Sequence, residues 1–471
     1  MEIQELQSLI QSPSELIKRI HATNPDEVEA DKSYEPETHE ITDKNIRKDK
    51  TIKVPNGIID NATGKEGTIT QTEKVARITL SLQKLIIDRA VAFCVGVPIE
   101  IESVPANPDE ETLNKMVRKT LRDNKASFKD SEICELMMKD GECAEIWYSE
   151  AVDKTYWADV GSGDFKMRLK IIAPSKGDTL YPIYNSEGDM TGFGRGYAVK
   201  VANKDQQRID LYTDKGIYKY AKTDIDWSLE SSKDHSYGKI PITYYSQPKK
   251  ETADVDGKIA RLETLISNHA DTNDYNGSPI LAVSGTIAGF SEKGETGKVF
   301  ELLDGGKVEY VTWNNAPESI KMEIENLIDF IYTETRTPNI SFKDLKGLGN
   351  ISGIALKLMF LDAHLKAKKK QNGSYGESVQ RRINFLKSAM AAINIGLVSV
   401  IGFEMTPKFD VYMPSNNTEE IENMVALVSA GVLSKRTALS KLAGMLEMSP
   451  EAIDAEFELL KAESDVLAEV E

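Results

Sequence analysis

Apolar positions along this chain recur every three to four residues in some stretches and every second residue in others, and the changes of period divide it into segments. Near the start, Ser12-Pro13-Ser14-Glu15 sets a capping residue, a proline at the first helical position and a carboxylate at the third. Leu16, Ile17 and Ile20 continue an apolar face, so a helix is expected within residues 1–20. Residues 23–72 are rich in Asp, Glu, Lys, Asn, Thr and Gly and poor in large apolar groups. That composition predicts an irregular arm with little capacity to build a core. Val75, Ile78, Leu82, Leu85 and Ile86 then predict a helix over 73–95, which Val97-Pro98 cannot continue, and a second helical stretch covers about 109–140.

Residues 144–246 change period. Phe165, Met167, Leu169 and Ile171 alternate with polar neighbours, and Arg208 to Tyr220 reads as strand, Thr213-Asp214-Lys215-Gly216 turn, strand, which predicts a mainly antiparallel β region. Helical spacing returns over 254–274, with Ile259, Leu262, Ile266 and His269 on one face. Residues 279–313 offer three short strand candidates between glycine-bearing turns at Gly285, Gly294, Gly297 and Gly305-Gly306. After Pro317, Ile320, Ile324, Leu327, Ile328 and Ile331 share a face, predicting a helix to about Thr335. Glycines 347, 349 and 353 among Lys343, Asp344 and Lys346 mark a mobile loop. A very long helical pattern follows from Ile354 to Ile393, with a kink expected at Gly373 and Gly376. A short strand candidate, Lys408 to Tyr412, leads into a helical end in which residues 417–471 hold twelve acidic and four basic side chains, net −8.

A length of 471 residues implies two to four structural units. The 75 acidic against 58 basic residues give −17, which argues against a chain-wide basic surface for gripping nucleic acid. Cys94, Cys134 and Cys143 form no CxxC pair, consistent with a reducing cytosol and with no cysteine-based zinc site. The first residues do not read as a signal peptide. The longest apolar run, Ala389 to Phe403, is too short for a bilayer and contains Asn394 and Ser399, so no membrane anchoring is expected. The five histidines show no ligand spacing. Gly64-Lys65-Glu66-Gly67 and Gly192-Phe193-Gly194-Arg195-Gly196 miss the phosphate-loop and dinucleotide patterns. No cofactor and no metal are expected, and neither a nuclease nor a packaging ATPase finds the groups it needs. The strongest local charge departure is the cluster Lys366, Lys368, Lys369 and Lys370, with Arg381 and Arg382 beyond it. Residues 343–387 hold ten basic and three acidic side chains. Two readings stay open for it: a solvated or intersubunit helix face, and contact with phosphates.

Several stretches, in order, resemble the portal proteins of tailed bacteriophages, the siphophage-type portal or head-tail connector family. They are Ile78 to Ile101, Gly238 to Tyr245 (GKIPITYY), Asp254 to Ile280, and Val432-Leu433-Ser434-Lys435-Arg436-Thr437-Ala438. The most specific is Asn350-Ile351-Ser352-Gly353-Ile354-Ala355-Leu356-Lys357, where the family carries Ser-Gly-x-Ala-Leu-Lys at the start of its long helix. The likeness covers about 75 to 465.

The resemblance implies an α+β, mainly helical portal fold assembling as a ring, usually a dodecamer, at one capsid vertex, through which double-stranded DNA is packaged and ejected. It implies an N-terminal arm at 1–72, a wing at 73–250, stem helices at 251–278 and 315–337 around a clip at 279–314, and a tunnel loop at 338–353. A kinked spine helix at 354–400, a wing return strand at 401–416 and an acidic helical crown at 417–471 complete the order. Lys343, Asp344, Lys346, Gly347, Gly349 and Asn350 would be the loop residues that touch DNA. Expected partners are further copies of the chain, DNA, the terminase large subunit, the head-tail adaptor, and major capsid and scaffold proteins. The setting would be the virion, and the host cytoplasm during assembly. The competing expectation is a structural adaptor ring without a DNA-handling role.

Overall fold

The computed structural model of the chain describes residues 1–22, 33–59, 66–201, 203–276, 280–290, 300–311, 317–339, 358–410, 417–445, 453 and 455–460. They fall into two units, Met1–Thr337 with Ala367–Asp410, and Pro338–Lys366 with Val411–Glu471. Helix and strand are mixed throughout the first unit.

That unit opens with α1 (Ile3–Leu9) and α2 (Pro13–Arg19), the latter with Pro13 in its first turn. The stretch expected to be irregular contains a hairpin, in which β1 (Lys50–Ile59) pairs antiparallel with β2 (Glu66–Glu73) and Val54 faces Ile69. Few large apolar residues make a poor core, but Thr, Ile and Val still suit an extended ribbon, whose side chains at 50–54 and 67–73 are exposed or half-buried. The helix expected from 73 begins only at Leu82, as α3 (Leu82–Val95). After β3 (Glu100–Glu102) come α4 (Pro108–Asp123), capped by Asn107, and α5 (Ala126–Asp140). The two are separate helices because Lys125 takes a left-handed conformation, φ 55°.

The β region forms as expected. Its strands are β4 (Glu142–Ala151), β5 (Phe165–Ile172), β6 (Thr179–Tyr184), β7 (Met190–Val201), β8 (Lys204–Tyr212), β9 (Gly216–Lys222), β10 (Trp227–Asp234) and β11 (Ile242–Ser246). They make two antiparallel sheets, ordered β11-β4-β5 and β10-β9-β8-β7-β6. Thr213 N donates to Gly216 O at 3.0 Å, closing the turn between β8 and β9. Period-two burial explains how the sheets stack. Ala144 and Ile146 face Phe193 and Tyr212 of the larger sheet, whereas Cys143 packs with α5, and Trp147 packs with α4. The far face of the larger sheet is covered by Leu6, Ile10, Leu16 and Ile20 of the amino-terminal helices, which meet Ile183, Ile209, Leu211 and Tyr220.

Next come α6 (Asp256–Asn276), β12 (Ile280–Phe290), β13 (Phe300–Val311) and α7 (Pro317–Thr335). Two long paired strands replace the three short ones expected. The register shifts between Ser284 and Thr286, opposite Lys307 and Leu303, so Gly285 and Gly305-Gly306 accommodate a bulge within the strands rather than ending them. Gly294 and Gly297 lie outside the described residues.

The long helical pattern resolves into α8 (Leu361–Gln371), which belongs to this unit from Ala367 onward, and α9 (Ser374–Ile393). The break falls at the expected glycines. A Cβ on Gly376 would lie 1.8 Å from Gln371 O, so only glycine permits this approach. The strand expected over Lys408 to Tyr412 lies earlier, as β14 (Thr406–Lys408), which pairs with β3, and residues 411 and 412 lie outside the described residues. In the second unit, α10 (Asn417–Ser429) ends at Gly431, φ 69°, and α11 (Lys435–Met445) begins where Ser434 Oγ accepts from Thr437 N.

Candidate functional site

The helices α6 and α7 are the elements around which the remaining features are organised. Val255, Ile259, Leu262 and Ile331 are buried between them together with Ile86 of α3, and Ile324, Leu327 and Ile328 pack on this cluster. Lys258 Nζ lies 2.7 Å from Glu334 Oε2, so the start of α6 stands beside the end of α7 and the pair runs antiparallel. A second bond joins Arg261 to Glu323 at 2.8 Å. Both pairs are partly exposed and contribute at most about 1 kcal/mol each, so the apolar seam holds the helices together. On the outside of α7, Met322 and Phe330 are more than half exposed, at 61% and 54%.

A second face of α6 is polar, buried at Glu263 and Ser267 and half-buried at Asp271. Glu263, Ser267 and Asp271 stand four residues apart, and each accepts from a backbone N–H of the extended segment before α3. Leu80 N donates to Glu263 Oε1 at 2.8 Å, Ile78 N to Ser267 Oγ at 2.9 Å, and Ala76 N to Asp271 Oδ1 at 2.6 Å. Four residues of helix rise about 6 Å and two residues of strand span about 6.6 Å, so the two repeats match over three rungs. These bonds answer why residues 74–81 are not helical. The N–H groups of Ala76, Ile78 and Leu80 are spent on side chains of α6 and that of Val75 on Asp49, while Val75 and Ile78 remain half-buried.

The arm is tied to the same face. His39 Nδ1 lies 2.6 Å from Glu263 Oε1 and its Nε2 lies 3.2 Å from Ser33 O. A carbonyl and a carboxylate are both acceptors, so the ring is satisfied with both nitrogens protonated. The bond to Glu263 raises the His39 pKa, although burial opposes it. Further along, Arg47 donates to Asn268 Oδ1 and to Asp271 Oδ2, both at 2.8 Å. None of these residues was singled out by sequence. The available signal was the four-residue spacing of Glu263, Ser267 and Asp271 beside an apolar face.

The basic cluster divides. Lys370 Nζ lies 2.7 Å from Glu251 Oε2 and also donates to Gln247 Oε1, and Lys368 Nζ donates to Phe409 O at 3.0 Å. Lys366 is half-buried and Lys369 exposed. Arg382, grouped with them by sequence as a surface charge, is 3% exposed and reaches Asp130 of α5 and Glu145 of β4. The loop residues Lys343, Asp344, Lys346, Gly347, Gly349 and Asn350 lie outside the described residues, as does the Ser352-Gly353 motif. Among the described residues, no group of three His, Cys, Asp or Glu side chains could hold a metal, and no helix is long and apolar enough to cross a membrane.

The antiparallel pair α6 and α7 carries the β12–β13 hairpin on its connection, and the first unit mixes helix and strand. A family model described as "Phage portal protein, SPP1 Gp6-like" matches residues 16–468, and the chain belongs to that family of structural virion proteins. The portal protein of Bacillus phage SPP1 is 22% identical over 429 residues, covering 84% of this chain and 78% of that protein. Among solved structures, the neck of an empty gene transfer agent particle covers 78% of this chain and 89% of its own, at 12% identity and TM-score 0.39. The virion of a native gene transfer agent particle gives the same coverage, at 11% identity and TM-score 0.37.

Proposed function

We propose that copies of this chain close into a ring, dodecameric in the complete particle, whose channel passes double-stranded DNA into and out of the capsid. Family membership across residues 16–468 carries this reading. In it α6 and α7 are the stem, β12 and β13 the clip, the two sheets with their covering helices the wing, α8 and α9 the spine, and the helices after residue 417 the crown. The residues 338–353 form the tunnel loop, in which Lys343, Asp344, Lys346, Gly347, Gly349 and Asn350 touch DNA weakly. The terminase large subunit and later the head-tail adaptor meet the clip, and capsid and scaffold proteins meet the wing. Assembly takes place in the host cytoplasm.

The physics of a conduit supports this. A wall rich in cations would release counterions and grip each phosphate, which a moving duplex cannot tolerate. The net −17 of each subunit, summed around a ring, makes a repulsive wall instead. Exposed Met322 and Phe330 on α7 supply apolar surface for a neighbouring copy, as a closed ring needs. Lys368, Lys370 and Arg382 are held by their own subunit, which limits the cation left for DNA along the spine.

Sedimentation of the purified chain at micromolar concentration tests the assembly step. A discrete species of about twelve copies agrees with the proposal, and a monomer alone contradicts it. A ring that forms without an open channel would favour a structural adaptor instead.

A further inference from the structure

Between the two sheets, where they diverge, lies a cleft of about 850 Å³ that the ring reading leaves unused. It is lined by β4 and β5 on one side and by β7 to β10 on the other, with Ala392 and Ile393 at the end of α9 closing it. Lys170, Lys219 and Lys233 enter it from three different strands. Among the described residues, no carboxylate lies within ion-pair distance of any of them. The fourth cation, Arg195, is held by Asp178 at 2.6 Å. Two acidic groups also line the cleft. Asp234 is exposed, and Asp210, 4% exposed, sits opposite Arg195 and Lys219 in the ladders, with burial pushing its carboxyl up. Burial and the Arg195 charge push the Lys170 ammonium down, so a cation here gains from an incoming carboxylate. The mouth is aromatic, with Tyr148 and Phe165 43% and 47% exposed.

The strand edges beside the cleft are treated differently. On β5, Asn124 Nδ2 donates to Met167 O and its Oδ1 accepts from Leu169 N, while Trp157 Nε1 donates to Phe165 O. That edge is closed by side chains. On β10, the last strand of its sheet, no comparable partner meets the backbone from Ser228 to Asp234 among the described residues. An open edge next to a cleft is a template for one more strand.

We infer that this cleft takes an extended acidic segment of another protein, which adds to the edge of β10. Its carboxylates, spaced two residues apart, meet Lys219 and Lys233, and an apolar or aromatic side chain two residues further along, on the same face of the added strand, packs on Tyr148 and Phe165. Main-chain bonds supply affinity and the alternating side chains supply selectivity. A net-acidic chain that gathers Lys170, Lys219 and Lys233 in one concave site, offset there only in part by Asp210 and Asp234, is suited to such a partner by charge.

The test is selection of random twelve-residue peptides on the purified full chain, then fluorescence anisotropy of the enriched peptides. This binding does not depend on ring closure, so its failure and the failure of the ring reading are separable. Enrichment of peptides with Asp or Glu at alternate positions and an aromatic residue two positions further on, bound at least ten-fold more weakly by K219E/K233E and by K219Q/K233Q, supports the inference. Absence of such enrichment, or unchanged binding by both variants with melting curves like the parent, overturns it. Displacement of the peptide by a short duplex DNA, lost in the same variants, would assign the cleft to nucleic acid and equally overturn it.

Discussion

Arg382 Nη1 lies 2.7 Å from Asp130 Oδ1, and the same guanidinium reaches Glu145 Oε1 at 2.5 Å and Tyr245 Oη at 2.8 Å. One buried cation on α9 thus joins α5 to β4, between the helices and the smaller sheet. Burial pushes the Glu145 carboxyl up while Arg382 pulls it back, and Trp147 Nε1 adds a hydrogen bond at 3.2 Å. R382A would leave two buried carboxyl groups without their cation, at a cost of about 3–5 kcal/mol. Urea unfolding followed by circular dichroism reads this directly. A loss under about 1 kcal/mol would mean that the network does not hold these layers.

The pair His39 and Glu263 makes stability depend on pH. The folded-state pKa of His39 is raised above the ordinary histidine value of 6.5, so the folded protein binds this proton more tightly than the unfolded chain. Its stabilisation is fully present below 6.5 and is lost as pH rises through the raised value. Melting temperature should fall over that window in the parent, and that part of the fall should vanish in H39A. H39A should also cost about 1–3 kcal/mol below pH 6, because Glu263 loses a buried partner. Equal pH profiles for parent and variant would contradict the assignment.

The three-rung clasp on α6 predicts a local effect. Asp271→Ala removes the acceptor of Ala76 N and one acceptor of Arg47, and Ser267→Ala removes that of Ile78 N. Each should lower stability by about 1–3 kcal/mol. Hydrogen exchange should accelerate at Ala76, Ile78 and Leu80 before it does in α9. Exchange rising uniformly over the chain would show that the clasp has no separate local role.

The elements most legible in the sequence were those whose burial follows one regular period. The apolar faces of α6 and α7, the Thr213 to Gly216 turn and the glycine break before α9 were all readable. Residues 73–81 misled because Val75 and Ile78 keep helical spacing while packing, extended, against α6. The β1–β2 hairpin was hidden because its side chains at 50–54 and 67–73 are exposed or half-buried, and such a ribbon needs no alternation. Arg382 was read as surface charge because its partner Glu145 lies 237 positions away, and a charge run carries no sign of such a partner. The same holds for Lys370 and Glu251. The tunnel-loop residues named by resemblance await a functional measurement.

That measurement is in vitro packaging with Gly347 and Gly349 both replaced by valine. Glycine lowers the cost of backbone rearrangement, and Lys343 and Lys346 supply charge that Asp344 partly offsets. Packaging rate and packaged length should drop while particles assemble normally. Parental rate and length in the double variant would remove the loop from the mechanism.

Purified protein should show no nucleotide hydrolysis and no nuclease activity, as expected of a conduit rather than a motor. Turnover that survives purification and disappears on a point substitution in this chain would overturn this.

The central claim is that the chain forms a ring around a DNA path, and the most direct measurement is electron microscopy of the assembled particle viewed down its axis. The account predicts a closed ring of identical subunits with an open central channel wide enough for duplex DNA. Particles without rotational symmetry, or a ring whose centre is filled by protein in every view, would contradict it.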